Sequence, residues 1–419
     1  MNTRAFSLIA GVVLIGVVFL AGWTMRKGTS QEAGPSPVPR LVQLSALGVD
    51  AAEPVTASAV DGTVYVAWVN HDAKKADVML ARFNSDGEMQ GSPVRVNRTP
   101  GVATAWRGDQ PGLSVAPDGS VYVVWTARVE AASKHGTDIF MSVSNDRGQS
   151  FASEVKINDD KVPGAHGMHS LAVAKDGRIY VGWLDERNVS APKPSTKADG
   201  HHMESNRELY LAYSSDGGRS FSANRKVAVD ACPCCKTSLA VGADGTLYAG
   251  WRQVLPGNFR HIAVASSTDG GQNFSRPVIV SDDRWMLQGC PVSGPSLSVD
   301  AGGSLKVVWY AAGEANEPGL YFAESKDKAQ SFSARQLVSQ EGVRGTPALA
   351  AGDNNSTIAL WQSSNTGETR MVELGKAGAA SSVAVNAELP AGTVSNGKLF
   401  VAYIAKEKEK RSVWLVRAD

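Results

Sequence analysis

Three of the four cysteines in this 419-residue chain stand together in Ala231-Cys232-Pro233-Cys234-Cys235-Lys236, and the fourth, Cys290, lies in Gly289-Cys290-Pro291. A thiolate attacks disulfides and binds soft or borderline metals, so a cluster this dense points to redox or metal chemistry. Imidazoles accompany it in His166-Gly167-Met168-His169 and in His201-His202-Met203. Thiolate with thioether favours copper(I), and thiolate with imidazole also suits zinc. Copper is the first choice, because each histidine group has a methionine beside it. The expected metal set is Cys232, Cys234, Cys235 and Cys290 with His166, His169, His201 and His202, and a thiol-redox centre on the same cysteines is its companion reading. The spacing is neither the Cys-x-x-Cys-His of haem attachment nor a zinc-finger arrangement. Oxidised, the four cysteines can instead clamp the fold as two disulfides, for example by joining Cys290 to Cys232 or Cys234.

These stretches share a position in a repeat. A short strand, a turn with aspartate or glycine, and an apolar strand ending in an aromatic recur along the chain. The second-strand copies are Val64–Trp68, Val121–Trp125, Ile179–Trp183, Leu247–Trp251, Leu305–Trp309, Thr357–Trp361 and Leu399–Tyr403. Cys232 and Cys290 both lie nineteen positions before their tryptophan; Cys234, His166 and Arg344 lie seventeen before theirs, and Arg107 and Asp109 eighteen and sixteen before Trp125. In a cyclic array, equal counts mean equivalent places in neighbouring modules, so residues distant in sequence are brought to one face.

Alternation of apolar and small residues in these segments indicates strands, and most copies recur every 42 to 68 residues, enough for a four-stranded blade. The expected fold is all-β, a β-propeller of seven blades over residues 41–419. Six is the alternative, because 371–394 is hard to divide. Ser412–Val416 is expected as a penultimate strand, with Arg40–Leu44 closing the ring as the outer one. Residues 1–27 hold an apolar run from Ala5 to Trp23, flanked by Arg4 and by Arg26 and Lys27, which reads as a hydrophobic N-terminal helix, either signal anchor or signal peptide. Residues 28–40 read as a flexible linker. The β domain is therefore expected outside the cytoplasm, in a bacterial periplasm and held to the inner membrane by that helix, or secreted if the signal is cleaved. Lysine plus arginine number 42 against 41 acidic residues, with no basic tract, which argues against a nucleic-acid partner. A metal, a glycan or a protein ligand remains.

A second repeated feature reads Ser144-Asn-Asp146-Arg-Gly148-Gln-Ser-Phe151, then Ser214 to Phe221, Ser267 to Phe274 and, more weakly, Ser325 to Phe332. Serine and aspartate can satisfy turn amides, glycine permits the left-handed conformation, and phenylalanine anchors the turn, so these residues are expected to be structural. The turns resemble the Asp-box, or BNR, repeats of the sialidase-like β-propeller superfamily. That resemblance covers roughly residues 41–419. It implies a six-bladed propeller in the known sialidases and, for an enzyme, three arginines on a substrate carboxylate, an acid/base carboxyl group and a tyrosine paired with glutamate. The aromatic-Arg-Ile-Pro sequence of that family is absent here. Arg107, Arg187, Arg252 and Arg344 are the mouth arginines the resemblance suggests, Asp109 or Asp185 the acids, and Tyr310 with Glu314 the pair. An Asp185–Arg187 salt bridge steadying the loop is the structural alternative. An exo-acting glycosidase of sialidase type and a non-catalytic glycan- or protein-binding propeller are the alternatives to the metal or redox centre.

Overall fold

The computed structural model describes residues 40–73, 75–106, 108–129, 136–161, 164–189, 205–313, 317–352, 356–376, 378–407 and 410–418. The expected anchor and the tether up to residue 39 lie outside them. Among the described residues no helix is long and apolar enough to cross a membrane.

The architecture is all-β and is built from small antiparallel sheets. β1 (Arg40–Gln43) precedes a four-stranded sheet of β2 (Asp50–Ser58), β3 (Val64–Asp72), β4 (Lys75–Phe83) and β5 (Val94–Arg95). The second sheet holds β6 (Ala103–Thr104), β7 (Gly112–Val115), β8 (Val121–Arg128), β9 (Thr137–Ser144) and β10 (Val155–Lys156). Next comes an eight-stranded sheet of β11 (His166–Val173), β12 (Ile179–Asp185), β13 (Arg207–Ser214), β14 (Arg225–Ala231), β15 (Ser238–Val241), β16 (Leu247–Leu255), β17 (Phe259–Ser267) and β18 (Val278–Ile279). Its two four-stranded halves join through a single pairing, Ala231 with Gln253. β19 (Ser296–Val299), β20 (Leu305–Ala311), β21 (Gly319–Ser325) and β22 (Gln336–Ser339) form a further sheet, as do β23 (Val343–Ala351), β24 (Thr357–Ser363), β25 (Thr369–Glu373) and β26 (Ser381–Ala384). The last consists of β27 (Ala387–Ser395), β28 (Lys398–Glu407) and β29 (Lys410–Ala418), completed by β1, whose Arg40 to Gln43 pair with Arg417 back to Trp414.

Each aromatic-ending segment of the repeat is a second strand. Six of the seven end in a tryptophan that is fully or almost fully buried and packs onto the preceding sheet, as Trp183 does against Tyr122 and Met141, Trp309 against Tyr248 and Ile262, and Trp68 against Phe400 and Leu415 of the last sheet; the seventh ends in the buried Tyr403. The core therefore lies between sheets, and truncating one such indole to alanine costs about 3–5 kcal/mol. Most of the indole N–H groups are also bound: Trp68 donates to Asn70 (2.8 Å), Trp183 to Asp185 (2.8 Å) and Trp251 to Gln253 (2.7 Å).

The first strands are neighbours in sequence order: β2 lies against β7, β7 against β11, then β15, β19, β23 and β27, and β27 lies against β2. Several of them carry a bulge where they open, between Ala52 and Val55, Gly167 and Ser170, Arg344 and Ala348, and Glu388 and Ala391. Glu53, Met168 and Leu389 take positive φ there (48° to 54°). A bulge re-aims the side chains next to it, so these openings can depart from strict alternation.

The serine–aspartate turns follow third strands. Ser144 Oγ donates to Asp146 (2.7 Å) and accepts from the Gly148 amide (2.7 Å), while Asp146 also accepts from the Gln149 and Ser150 amides (2.9 Å each). The same bonds recur around Asp216, Asp269 and Asp327. In the fourth turn Lys328 and Ala329 hold the positive φ that glycine holds in two of the others.

Candidate functional site

The cysteine loop spans the gap between β14 and β15. The Cys232 amide donates to the Arg252 carbonyl (2.8 Å), Cys235 N turns back to the Cys232 carbonyl (3.4 Å), and Thr237 binds the Met168 carbonyl through both its amide (3.1 Å) and its hydroxyl (2.8 Å). The segment before β19 lies directly on this loop. A Cβ on Gly294 would overlap the Lys236 carbonyl oxygen, so only glycine permits that approach. Cys290 is carried on that segment and forms a disulfide with Cys234 across 56 residues of sequence, with Cα atoms 6.1 Å apart. Of the pairings open in the sequence, this is the one the fold makes.

Cys232 and Cys235 are free and buried, Cys234 is half-buried, and Cys290 is exposed. Cys235 Sγ donates to Cys232 Sγ at 3.0 Å, and Cys232 Sγ lies 3.8 Å from Cys234 Sγ. The sulfurs of Cys232, Cys234 and Cys235 are within 4.8 Å of one another, close enough to serve one metal ion, although Cys234 is committed to its disulfide here. Cys232 and Cys235 pack on Val254 of β16. Arg252 faces Ile262 and Val254 faces Arg260 across the β16–β17 pair, so both guanidinium groups leave the sheet on the side where Val254 meets the cysteines. Arg252 is fully buried: its Nε donates to the Ser293 carbonyl (2.8 Å), its Nη2 to the Tyr310 carbonyl (2.8 Å), and its guanidinium lies 4.8 Å from the Trp285 ring centre. Nη1 of Arg252 and both Nε and Nη1 of the buried Arg260 have no acceptor among the described residues. The thiol donated by Cys235 lowers Cys232 to about 7 against the effect of burial, with the Arg260 and Arg252 charges assisting. Burial, and then the neighbouring Cys232, push Cys235 upward.

The histidines are engaged elsewhere. His166 donates through Nδ1 to the Thr137 carbonyl, and its Nε2 faces Asp160 (3.2 Å) and Asp185 (3.4 Å). Burial opposes its charge, but the bonds to Asp160 and Asp185 prevail and raise it to about 9, so it is an imidazolium between two carboxylates. Arg187 completes this cluster, reaching Asp185 at 2.8 Å and Asp159 at 2.8 Å. His169 is buried between the Val124 carbonyl (3.1 Å) and Asp109 (3.4 Å). Lys236 Nζ binds Asp109 (3.1 Å) and the Gln110 carbonyl (2.7 Å). Burial and then the Lys236 charge bring His169 down to about 4. For Asp109, burial is outweighed by Lys236 and then His169, which hold the carboxyl below its usual range. The metal-capable group among the described residues thus consists of cysteines only, and no histidine–methionine set of the kind copper favours joins it.

Arg344 is exposed on β23, and Tyr310 presents its ring edge-on to Trp285 (5.6 Å between centres). Arg107, Glu314, His201 and His202 lie outside the described residues. Three residues of these clusters carry no repeat motif that would single them out: Arg260, Asp160 and Trp106. Trp106 nevertheless stands nineteen positions before Trp125, the place that Cys232 and Cys290 hold in their modules, and it is 37 % exposed. Its ring lies against Gly167, and its carbonyl accepts from the Asp109 amide (2.9 Å). A cavity of about 280 Å³ opens where the first strands meet; Pro54, Pro111, His169, Thr237, Pro295 and Pro347 line it, each fourteen positions before its tryptophan.

The fold has distant relatives among solved structures. A protein of unknown function from Dyadobacter fermentans matches 89 % of this chain and 99 % of its own length at 14 % identity, with a TM-score of 0.51. An ulvan lyase bound to -[GlcA(1-4)Rha3S]- matches 90 % of this chain and 95 % of its own at 13 % identity and 0.55. A Hadza microbial sialidase matches 85 % and 76 % at 14 % identity and 0.50. No protein-family profile matches the chain, and no curated protein does. At these identities the likeness is one of β-rich fold, shared with sialidases and polysaccharide lyases alike.

Proposed function

We propose that the chain is a closed seven-bladed propeller of the Asp-box, sialidase-like kind that works outside the cytoplasm as a binding module for an acidic glycan, with residues 1–27 as its anchor or signal and 28–40 as its tether. The circuit of first strands and the pairing of β1 with β29 support the seven-bladed ring. The observation that carries the binding function is the exposed indole of Trp106 at the opening of a first strand, on the face where the repeat also places Arg344. An indole gives a sugar ring a flat apolar surface, and a guanidinium without an ion-pair partner among the described residues suits a carboxylate or sulfate. Binding is favoured over hydrolysis because two of the suggested clamp arginines have other work. Arg252 is buried under Trp285, and Arg187 neutralises Asp185 and Asp159. The sialidase and the ulvan lyase that share the fold are named for action on, or captured with, acidic sugars, which fits the same ligand class.

Isothermal titration with sialyl and glucuronate oligosaccharides tests this. Binding should weaken roughly two- to tenfold in Trp106→Ala, in line with a stacking contribution of about 0.5–1.5 kcal/mol, with no sugar released or cleaved. Release of sialic acid or an unsaturated uronate would make the protein an enzyme, and no binding to either class would end the proposal.

A further inference from the structure

We propose that the four cysteines form a two-electron thiol–disulfide exchange centre, in which the buried pair Cys232 and Cys235 reduces the Cys234–Cys290 disulfide and the exposed Cys290 passes the electrons to an external disulfide. This is independent of the glycan proposal. The geometry carries it: a free sulfur lies 3.8 Å from the half-buried member of the disulfide, with a second free sulfur 3.0 Å behind the first. The other partner of that disulfide is the exposed one. Beside the free pair lie Arg252 and Arg260, both buried and both with N–H groups that find no acceptor among the described residues. Buried, unsatisfied cationic donors are costly unless an anion forms next to them, and the Cys232 thiolate is the anion this pocket can make.

The internal exchange balances among the four cysteines, with water carrying the protons, and an external disulfide accepts the two electrons. The Cys232 thiolate, its proton released to water, attacks Cys234 Sγ; a Cys232–Cys234 bond forms, the Cys234–Cys290 bond breaks, and Cys290 leaves as a thiolate that takes a proton from water. Cys235 then loses its proton and attacks Cys232 Sγ, releasing Cys234, which takes up that proton. The product is a buried Cys232–Cys235 disulfide with a surface dithiol at Cys234 and Cys290. An external disulfide is then attacked by the Cys290 thiolate, giving a mixed disulfide and one free thiol. Cys234 resolves it, releasing the second thiol and restoring the Cys234–Cys290 bond. Two electrons have moved from the buried pair to the substrate.

Native protein alkylated with iodoacetamide under non-reducing conditions and mapped by peptide mass spectrometry tests the internal step. In the wild type, label should accumulate on Cys290 and a Cys232–Cys235 disulfide should appear with it. Cys235→Ser should stop one step earlier, with label on Cys290 and a Cys232–Cys234 bond. Cys232→Ser should show neither, and Arg260→Met should slow labelling of Cys290 at least tenfold. Oxidised glutathione added in place of the alkylating agent should yield two glutathione thiols per wild-type chain and restore Cys234–Cys290. Circular dichroism confirms that each variant is folded; should Cys232→Ser fail that check, the trapped bond in Cys235→Ser still decides. A Cys234–Cys290 disulfide that persists unlabelled in the wild type, or label on Cys290 at an equal rate in folded Cys232→Ser, overturns the proposal.

Discussion

Removing the Asp109 carboxylate should strand the Lys236 ammonium in a nearly closed site. The two side chains are 1 % and 14 % exposed, and the ammonium keeps only the Gln110 carbonyl when the carboxylate is gone. Losing one member of a buried pair costs about 3–5 kcal/mol, and the residual exposure of Lys236 places Asp109→Ala near the lower figure. Lys236→Met leaves the reverse problem, a carboxylate that keeps the Met168 amide but whose nearest titratable neighbour is His169 at 3.4 Å. His169 is held near pH 4 by burial and by the Lys236 charge, so with that charge gone it should protonate more readily and become the counterion of Asp109. The folded pKa of His169 lies below its ordinary 6.5, so in the wild type its neutral form supports folding fully above about 6.5, and that support fades as pH falls towards 4. In Lys236→Met burial still opposes the imidazolium but the Lys236 charge no longer does, so that acid loss shrinks and the cost of the substitution relative to wild type should be smaller at pH 5 than at pH 8. The double variant Asp109→Ala with Lys236→Met removes both charges and should be clearly more stable than the sum of the two single losses implies, a coupling of about 2–3 kcal/mol between the sites. Urea unfolding followed by tryptophan fluorescence at both pH values measures these differences as midpoint shifts of roughly 1 M for 3 kcal/mol. If the single losses simply add in the double variant, and neither depends on pH, the ion pair does not have the energetic role argued for it.

Gly294→Ala should destabilise the protein by about 1–3 kcal/mol, since the new methyl group must push two backbones apart, and peptide mapping should find Cys290 no longer bonded to Cys234. The turn carboxylates of Asp146, Asp269 and Asp327 are each lowered to about 2; amide and hydroxyl donors do this at Asp269 and Asp327, and at Asp146 they do so against burial. Their contribution is therefore complete above the unfolded value near 3.8 and is lost as pH falls through 2, so the gentle decline of the urea midpoint that His169 causes between pH 6 and 4 should steepen below about 4, and Asp146→Asn should remove part of that added slope.

The strand repeat was readable because every module buries an aromatic at one position, and burial leaves a periodic trace in sequence. The serine–aspartate turns were readable for the same kind of reason, since a fixed set of amides must be satisfied in each copy. The 371–394 region was harder because its strands carry fewer such marks, and β27 opens with positive φ at Asn386 and Leu389, where no glycine signals it. Equal counts back from the tryptophans brought the cysteines of adjacent modules together, yet they could not choose Cys234 as the partner of Cys290. That choice is made by the backbone approach at Gly294, a contact between segments far apart in sequence. The chemistry of His166 was hidden similarly, because its state depends on Asp160, Asp185 and the Thr137 carbonyl, and the counting placed none of these beside it. Arg260 escaped notice because an arginine in a strand ordinarily points to water. Only the register of β16 with β17 turns it inward.

The pairing of β1 with β29 sets a timetable for assembly. A ribosome adding about 5–20 residues per second needs roughly 20–75 s to travel from the partners in β1 to those in β29. During that interval the last sheet lacks its strands, and the inner edge of β2 and the Trp68 indole have no Phe400 or Leu415 to cover them. The nascent chain must therefore keep an apolar flank shielded until its final strands arrive, and a chaperone acting on this protein would be needed most at the first sheet, long after that sheet has left the ribosome.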